Sequence, residues 1–169
     1  MGLRIGTSGW HYKHWIGLFY PSGLPSSKFL EYYCQFYDTV ELNGVFYRLP
    51  QPEAVKEWYR QTPKKFLFAY KGSRFITQMK KLNVEPKSIA IFFEQIAPLK
   101  EHLGPILWQL PPMLHKDAGR LEGFLRQLPR RHRYAVEFRH PSWLGDEIFA
   151  ISRRKNGRRF SFAAACSTL

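Results

Sequence analysis

Cysteine, acidic side chains and long apolar runs are all scarce in this 169-residue chain. Two cysteines, Cys34 in a helical pattern and Cys166 near the end, have neither ligand spacing nor partners for a disulfide framework, so thiolate metal binding is not expected. No run approaches the roughly 20 apolar residues of a membrane span, and Met1 to Gly6 lacks the apolar block of a signal peptide. A cytoplasmic, non-membrane protein is the expectation. No Gly-x-Gly-x-x-Gly follows a strand signal, and the Gly9-Trp10 and Gly72-Ser73 loops lack the Gly-x-x-x-x-Gly-Lys pattern of nucleotide hydrolases. Only 13 acids face 26 lysines and arginines. The resulting formal charge of +13 favours an anionic partner, nucleic acid or a phosphorylated small molecule. The stretch from Ile151, with Arg153, Arg154, Lys155, Arg158 and Arg159, supplies +5 and leaves +8 to residues 1–150. Arg130-Arg131-His132-Arg133 precedes a strand and reads as a solvated rim at its N-terminal end.

What is present is a core-forming composition, 44% hydrophobic and 17% aromatic, enough for one globular domain. Short apolar strand signals alternate with helical ones. Strands are expected at Leu3 to Ser8, Thr39 to Asn43, Phe66 to Lys71, Pro105 to Leu110 and Tyr134 to Arg139. Helices are expected after Ser26-Ser27 on Phe29, Leu30, Tyr33 and Phe36, at Pro52 to Gln61, at Ser88 to His102 with a break at Pro98, at Ala118 to Gln127, and from about Asp146. Repeated βα units imply a parallel sheet with covered faces, either doubly wound or a TIM-type (β/α) barrel. In the barrel version, five units correspond to about five of eight, an incomplete barrel.

Groups that bear chemistry collect after the strands. Tyr134-Ala-Val-Glu-Phe-Arg-His140 ends an apolar run in a carboxylate, a guanidinium and an imidazole, and alternation puts Glu137 and Arg139 on one face. Glu41, Glu137 and His140 are the candidates for acid-base or metal work. Trp10, Asn43, Tyr47, Lys71, Arg74, Gln109 and Arg139 are candidates for binding an anionic, flat or sugar-like ligand, with the three cations on oxyanions. Plainer readings stand beside these: a buried Glu137–Arg139 pair, Glu41 paired with Lys71, His140 capping its loop, and Trp10, Tyr12, Trp15, Phe19 and Tyr20 as a packing layer. No metal or cofactor is specified. A non-catalytic nucleic-acid binding module remains the alternative to an enzyme, and an inactive fragment of either is a third.

Ile5-Gly-Thr-Ser-Gly-Trp10-His-Tyr-Lys-His-Trp15 with Phe19-Tyr-Pro21, Val40-Glu-Leu-Asn43 with Phe46-Tyr-Arg-Leu-Pro50, Lys71 to Thr77, and Glu137-Phe-Arg-His-Pro-Ser-Trp143 resemble the YecE-like family, domain of unknown function 72. The resemblance covers nearly all of residues 3–149. It implies a TIM-type barrel of unestablished biochemical role, and fold analogy to phosphodiester-cleaving barrels extends that to nucleic acid only as analogy. Gly44-Val45 stands where Ser-Thr is usual, and Gln78 where the family has His. The family's later Tyr-x-Arg-x-His-Gly and Phe-Asn-Asn motifs are absent. Residues 1–150 are therefore read as a partial YecE-like barrel and 151–169 as a basic tail, by truncation or frameshift, the alternative being a short member that completes its barrel by association. With strands missing, the first and fifth would be open edges, which favours self-association.

Overall fold

The computed structural model describes residues 3–153 and 159–164. Its centre is a parallel sheet of five strands in sequential order: β1 (Thr39–Leu42), β2 (Leu67–Lys71), β3 (Leu103–Gln109), β4 (Arg133–Phe138) and β5 (Arg159–Ala164). Register runs Glu41 against Ala69, Lys71 against Leu107, Gln109 against Glu137 and Glu137 against Ala163. α1 (Phe29–Tyr33) precedes β1, and between the strands lie α2 (Gly44–Tyr47), α3 (Pro52–Gln61), α4 (Pro86–Ile96), α5 (Ala118–Gln127) and α6 (Asp146–Arg153). Proline opens α3 and α4 at the position where a missing N–H costs nothing. At α5, the Asp117 carboxylate accepts the Arg120 N–H at 2.9 Å. α4 stops where Pro98 forces a tighter six-residue turn, Ala97–His102, that leads into β3.

Alternation along each strand sends one set of side chains toward the helices. Val40, Leu42, Phe68, Tyr70, Ile106, Trp108, Tyr134, Val136 and Phe138 are buried in one cluster with Tyr33, Val55, Phe92, Leu121, Phe124 and Ile148. The opposite set, Glu41, Ala69, Lys71, Leu107, Gln109, Ala135 and Glu137, is only half-buried, and Ser161 and Ala163 are exposed. The expectation of two covered faces is thus corrected: among the described residues one face of the sheet is packed and the other is open.

Three further expectations change. Leu3 to Ser8 is no strand of the sheet. It makes one ladder-like bond, Glu41 N–H to Thr7 O at 2.9 Å, and Leu3 and Ile5 stay exposed because no apolar surface lies opposite them. Second, Ser26 and Ser27 form a short 3₁₀ turn without capping α1, and Phe36 lies beyond that helix, 59% exposed. Third, β4 is no edge, since β5 pairs along its whole length. Arg154, Lys155 and Arg158 of the basic stretch, and Cys166, lie outside the described residues.

Two features give measurable consequences. A Cβ built on Gly72, just past β2, would overlap the six-membered ring of Trp108, which is fully buried. Gly72→Ala is therefore expected to destabilise the protein by about 1–3 kcal/mol, because a packed core accepts an extra methyl only by shifting. Equal denaturant midpoints for variant and parent would contradict that overlap.

His102, 3% exposed, sits at the entry to β3 with Nδ1 2.9 Å from Thr62 Oγ1 and its ring 4.6 Å from that of Tyr59. The Thr62 hydroxyl donates to the Trp58 carbonyl at 2.9 Å, so His102 Nδ1–H is the donor to Thr62. Desolvation holds this imidazole below the usual histidine range, weakly opposed by the neighbouring Glu101 carboxylate. A histidine neutral in the native state and protonated in the unfolded chain contributes stability in full above about pH 6.5 and loses it as pH falls below that value. The thermal midpoint should fall between about pH 7.5 and 5.5, and less steeply in His102→Gln. An unchanged slope in the variant would assign the pH dependence elsewhere.

Candidate functional site

The C-terminal ends of parallel strands are where α/β proteins place ligand sites, since loops there are free of the packing that holds the strands. At the end of β1 a cavity of about 560 Å³ opens between Ser8, Trp10, Glu41, Asn43, Arg48 and Trp58. Trp10 meets Trp58 edge to face at 5.5 Å, which makes an apolar wall. Ser8 Oγ donates to Glu41 Oε2 at 3.2 Å, and Asn43 Nδ2 donates to Ser8 Oγ. The carboxylate is thereby aimed by two neutral polar groups. Arg48 forms no ion pair among the described residues. A second hollow, about 690 Å³, shares Ser8 and Glu41 and continues along the open sheet face past Thr39, Ala69 and Arg133. Glu41 therefore stands where the two spaces meet.

A separate polar cluster closes the ends of β3 and β4. Gln109 Nε2 donates to Glu137 Oε2 at 2.8 Å, and Arg139 Nε lies 3.3 Å from Glu137 Oε1. The pairing expected of Glu137 and Arg139 is present but only partly buried, with side chains 15% and 37% exposed. Arg139, the more exposed partner, stays within reach of a ligand at the strand end. Gln78, the position that departs from the family pattern, donates Nε2 to the Gln109 carbonyl at 3.0 Å and so tethers the π-helical turn Phe75–Met79 to β3.

Of the residues expected at the site, Trp10, Glu41 and Asn43 meet in the first cavity, and Gln109, Glu137 and Arg139 meet in the second cluster. Lys71 ends β2 with Nζ 5.1 Å from the Phe46 ring, and no Lys71–Glu41 ion pair forms. The Glu41–Lys71 pairing is thus replaced by Glu41–Ser8. Arg74, before the π turn, and Tyr47, 75% exposed on α2, line neither space. His140 caps the Pro141–Trp143 turn: its Nδ1 is 2.8 Å from Ser142 Oγ and accepts the Ser142 N–H at 3.1 Å, while its ring lies 4.0 Å from that of His115. That is the loop-capping role. Among the described residues no three histidine, cysteine, aspartate or glutamate side chains gather as a metal would require, so Glu41, Glu137 and His140 are not one ligand set.

Arg48 and Trp58 are not among the binding residues read from the sequence. Trp58 lies on the face of α3 whose periodicity reads as core, and only the fold brings Trp10 to it. Arg48 follows two aromatics after β1, and its separation from any carboxylate is invisible in sequence. Burial pushes the Cys34 thiol up to about 12, far from thiolate chemistry. No helix of the described residues is long and apolar enough to cross a membrane.

Comparison with known proteins gives a consistent picture. The family model for "Protein of unknown function DUF72" matches residues 4–162, a span that includes most of β5. The UPF0759 protein YecE of Escherichia coli K12 is 32% identical over 154 residues, which cover 89% of this chain and 54% of that protein. The UPF0759 protein YunF of Bacillus subtilis is 26% identical over 158 residues, 87% of this chain and 54% of that one. Among solved structures, a DUF72 family protein from Thermotoga maritima superposes with a TM-score of 0.74 at 33% identity, over 93% of this chain and 63% of that one. Another, from Enterococcus faecalis, gives 0.71 at 23% identity, over 94% of this chain and 59% of that one, a likeness of fold. The chain spans about half the length of the curated relatives it matches.

Proposed function

Because the chain belongs to the DUF72 family of proteins of unknown function, we propose that it contributes part of a (β/α) barrel whose mouth binds and processes a small phosphate-bearing ligand. The barrel reading is supported by five parallel strands in sequential order and by helices packed on one face only. A doubly wound sheet reverses its strand order at a switch point and carries helices on both faces. In a barrel, the open face becomes the interior and the strand ends become the mouth.

One observation carries the ligand reading: Arg48 and Glu41 line the same aromatic-walled cavity at the end of β1, without pairing to each other. A guanidinium without a carboxylate partner presents a rigid fork of donors that matches phosphate. Trp10 and Trp58 offer a flat wall to a base or sugar. Glu41, held by Ser8, is the group placed to accept a proton from a ligand hydroxyl or an attacking water. Lys71 and Arg74 are further cations after β2, and Glu137, held by Gln109 and Arg139, is a second acid-base candidate.

Thermal-shift and calorimetric titration with inorganic phosphate, ribose 5-phosphate and adenosine monophosphate tests this. At least one phosphorylated compound should bind while its dephosphorylated analogue does not. Arg48→Ala should weaken that binding about tenfold or more, as expected when a hydrogen bond to a charged group is lost. Equal affinity in Arg48→Ala, or for the dephosphorylated analogue, would dismiss a phosphate site at this position.

A further inference from the structure

The end of the sheet away from the mouth has its own chemistry. All five strands run the same way, so the segments that enter them lie together. Those segments bring Lys64 and Lys65 to β2, Lys100 to β3, and Arg130 and Arg131 to β4, all five exposed. None of the five forms an ion pair among the described residues. The acids nearby are fewer and partly engaged: Asp38 is held by Arg4 at 2.8 Å, Glu101 accepts the Tyr59 hydroxyl at 2.9 Å, and Glu94 stands in the last turn of α4.

Helix dipoles explain cations within a last turn, as at Arg60 of α3 and Arg126 of α5. They do not explain Lys64, Lys100 or Arg130, each three or four residues past the end of its α-helix. A cavity of about 450 Å³ separates Lys100 from Arg131 and His132. The Arg131 guanidinium donates through Nε to His132 Nε2 at 3.0 Å, and His132 stacks on Phe93 at 5.2 Å and 11°. One exposed arginine is therefore braced by a stacked imidazole.

We propose that this N-terminal end of the sheet is a docking surface for the phosphate backbone of duplex nucleic acid. Fixed cations carried on successive strand entries track a line of phosphates. A duplex is favoured over a single strand because this end offers no open stacking platform: Phe93 is buried and Tyr59 lies under the Lys100 ammonium at 4.9 Å. A membrane is disfavoured because the cations sit on turns and strand starts, without an amphipathic helix to seat among lipids. The surface is independent of the mouth, and neither proposal requires the other.

Anisotropy titration of a fluorescein-labelled mixed-sequence 20-base-pair duplex, from about 50 to 200 mM salt, reads the surface directly. Five phosphate contacts give a slope of log affinity on log salt of about −4.5, and the exposed-site variant Lys64→Gln/Lys65→Gln/Arg130→Gln/Arg131→Gln should reduce it to about −1 with at least tenfold weaker binding at about 100 mM salt. Circular dichroism establishes that the variant is folded, and the wild-type slope needs no variant at all. Arg48→Ala should bind the duplex as wild type does. No duplex binding, a slope near zero, or an unchanged folded variant would overturn the proposal. So would loss of duplex binding in Arg48→Ala, which moves the nucleic acid to the mouth, or capture by phosphatidylserine vesicles without duplex binding, which moves the partner to a membrane.

Discussion

Trp108→Ala is expected to lower the unfolding free energy by about 3–5 kcal/mol, the range for removing a large aromatic from a close-packed interior. Trp108 is fully buried in β3, and its ring meets Phe92 of α4 at 5.0 Å and Phe124 of α5 at 5.1 Å. It thus joins the middle strand to two helices, and Gly72 exists beside it because no Cβ fits there. The indole Nε1 has no hydrogen-bond partner among the described residues. Trp108→Phe should accordingly cost much less than Trp108→Ala, because it deletes an unsatisfied polar atom together with part of the ring. Urea unfolding of both variants checks the pair of expectations. A loss near 1 kcal/mol for the alanine variant would show that this part of the core is not packed as described.

Tyr33→Phe should have the second large effect, about 1–3 kcal/mol, with a functional consequence attached. The Tyr33 ring is fully buried on α1, and burial holds its phenol in the protonated form above the usual tyrosine range. Its oxygen accepts the Thr7 N–H at 2.9 Å, lies 3.0 Å from Thr7 Oγ1, and donates to the Thr39 carbonyl at 3.1 Å. One hydroxyl therefore ties residues 3–8 to the first residue of β1. Ser8 is next to Thr7 and holds Glu41 in the cavity at the end of β1. Loss of the phenol should loosen Ser8 and weaken phosphate-ligand binding as well as stability. Stability loss with unchanged ligand affinity would detach Ser8 from the site.

How much of this could be read in the sequence varies with how local the governing interaction is. α3 and α5 begin and end at the residues read for them, since Pro52 and Asp117 act within one turn. The strands at Thr39, Leu67 and Arg133 fall within a residue or two of expectation, because runs of apolar and β-branched or aromatic residues between polar breaks decide them. Leu3 to Ser8 carries the same alternation yet forms no strand, since what it needs is an apolar partner surface that only tertiary structure supplies. β5 is not legible in the sequence for the converse reason: its Ala163 and Ala164 give a weak strand signal, and pairing with β4 does the rest.

At the site, the carboxylates, their strand ends and the Glu137–Arg139 pair are legible in the sequence, but the partners of Glu41 and Lys71 are not. Glu41 is met by Ser8 across 33 positions, and Lys71 turns to Phe46. Partner choice in such places depends on side-chain reach across register, which spacing along one strand does not encode.

Amide chemical-shift mapping of the isotopically labelled protein during titration with adenosine monophosphate tests the central claim most directly. Shifts are expected to concentrate at Ser8, Trp10, Glu41, Asn43 and Arg48, with the Trp58 indole joining them. Shifts confined to Lys100, Arg131 and His132 at the other end of the sheet, or absent altogether, would contradict it.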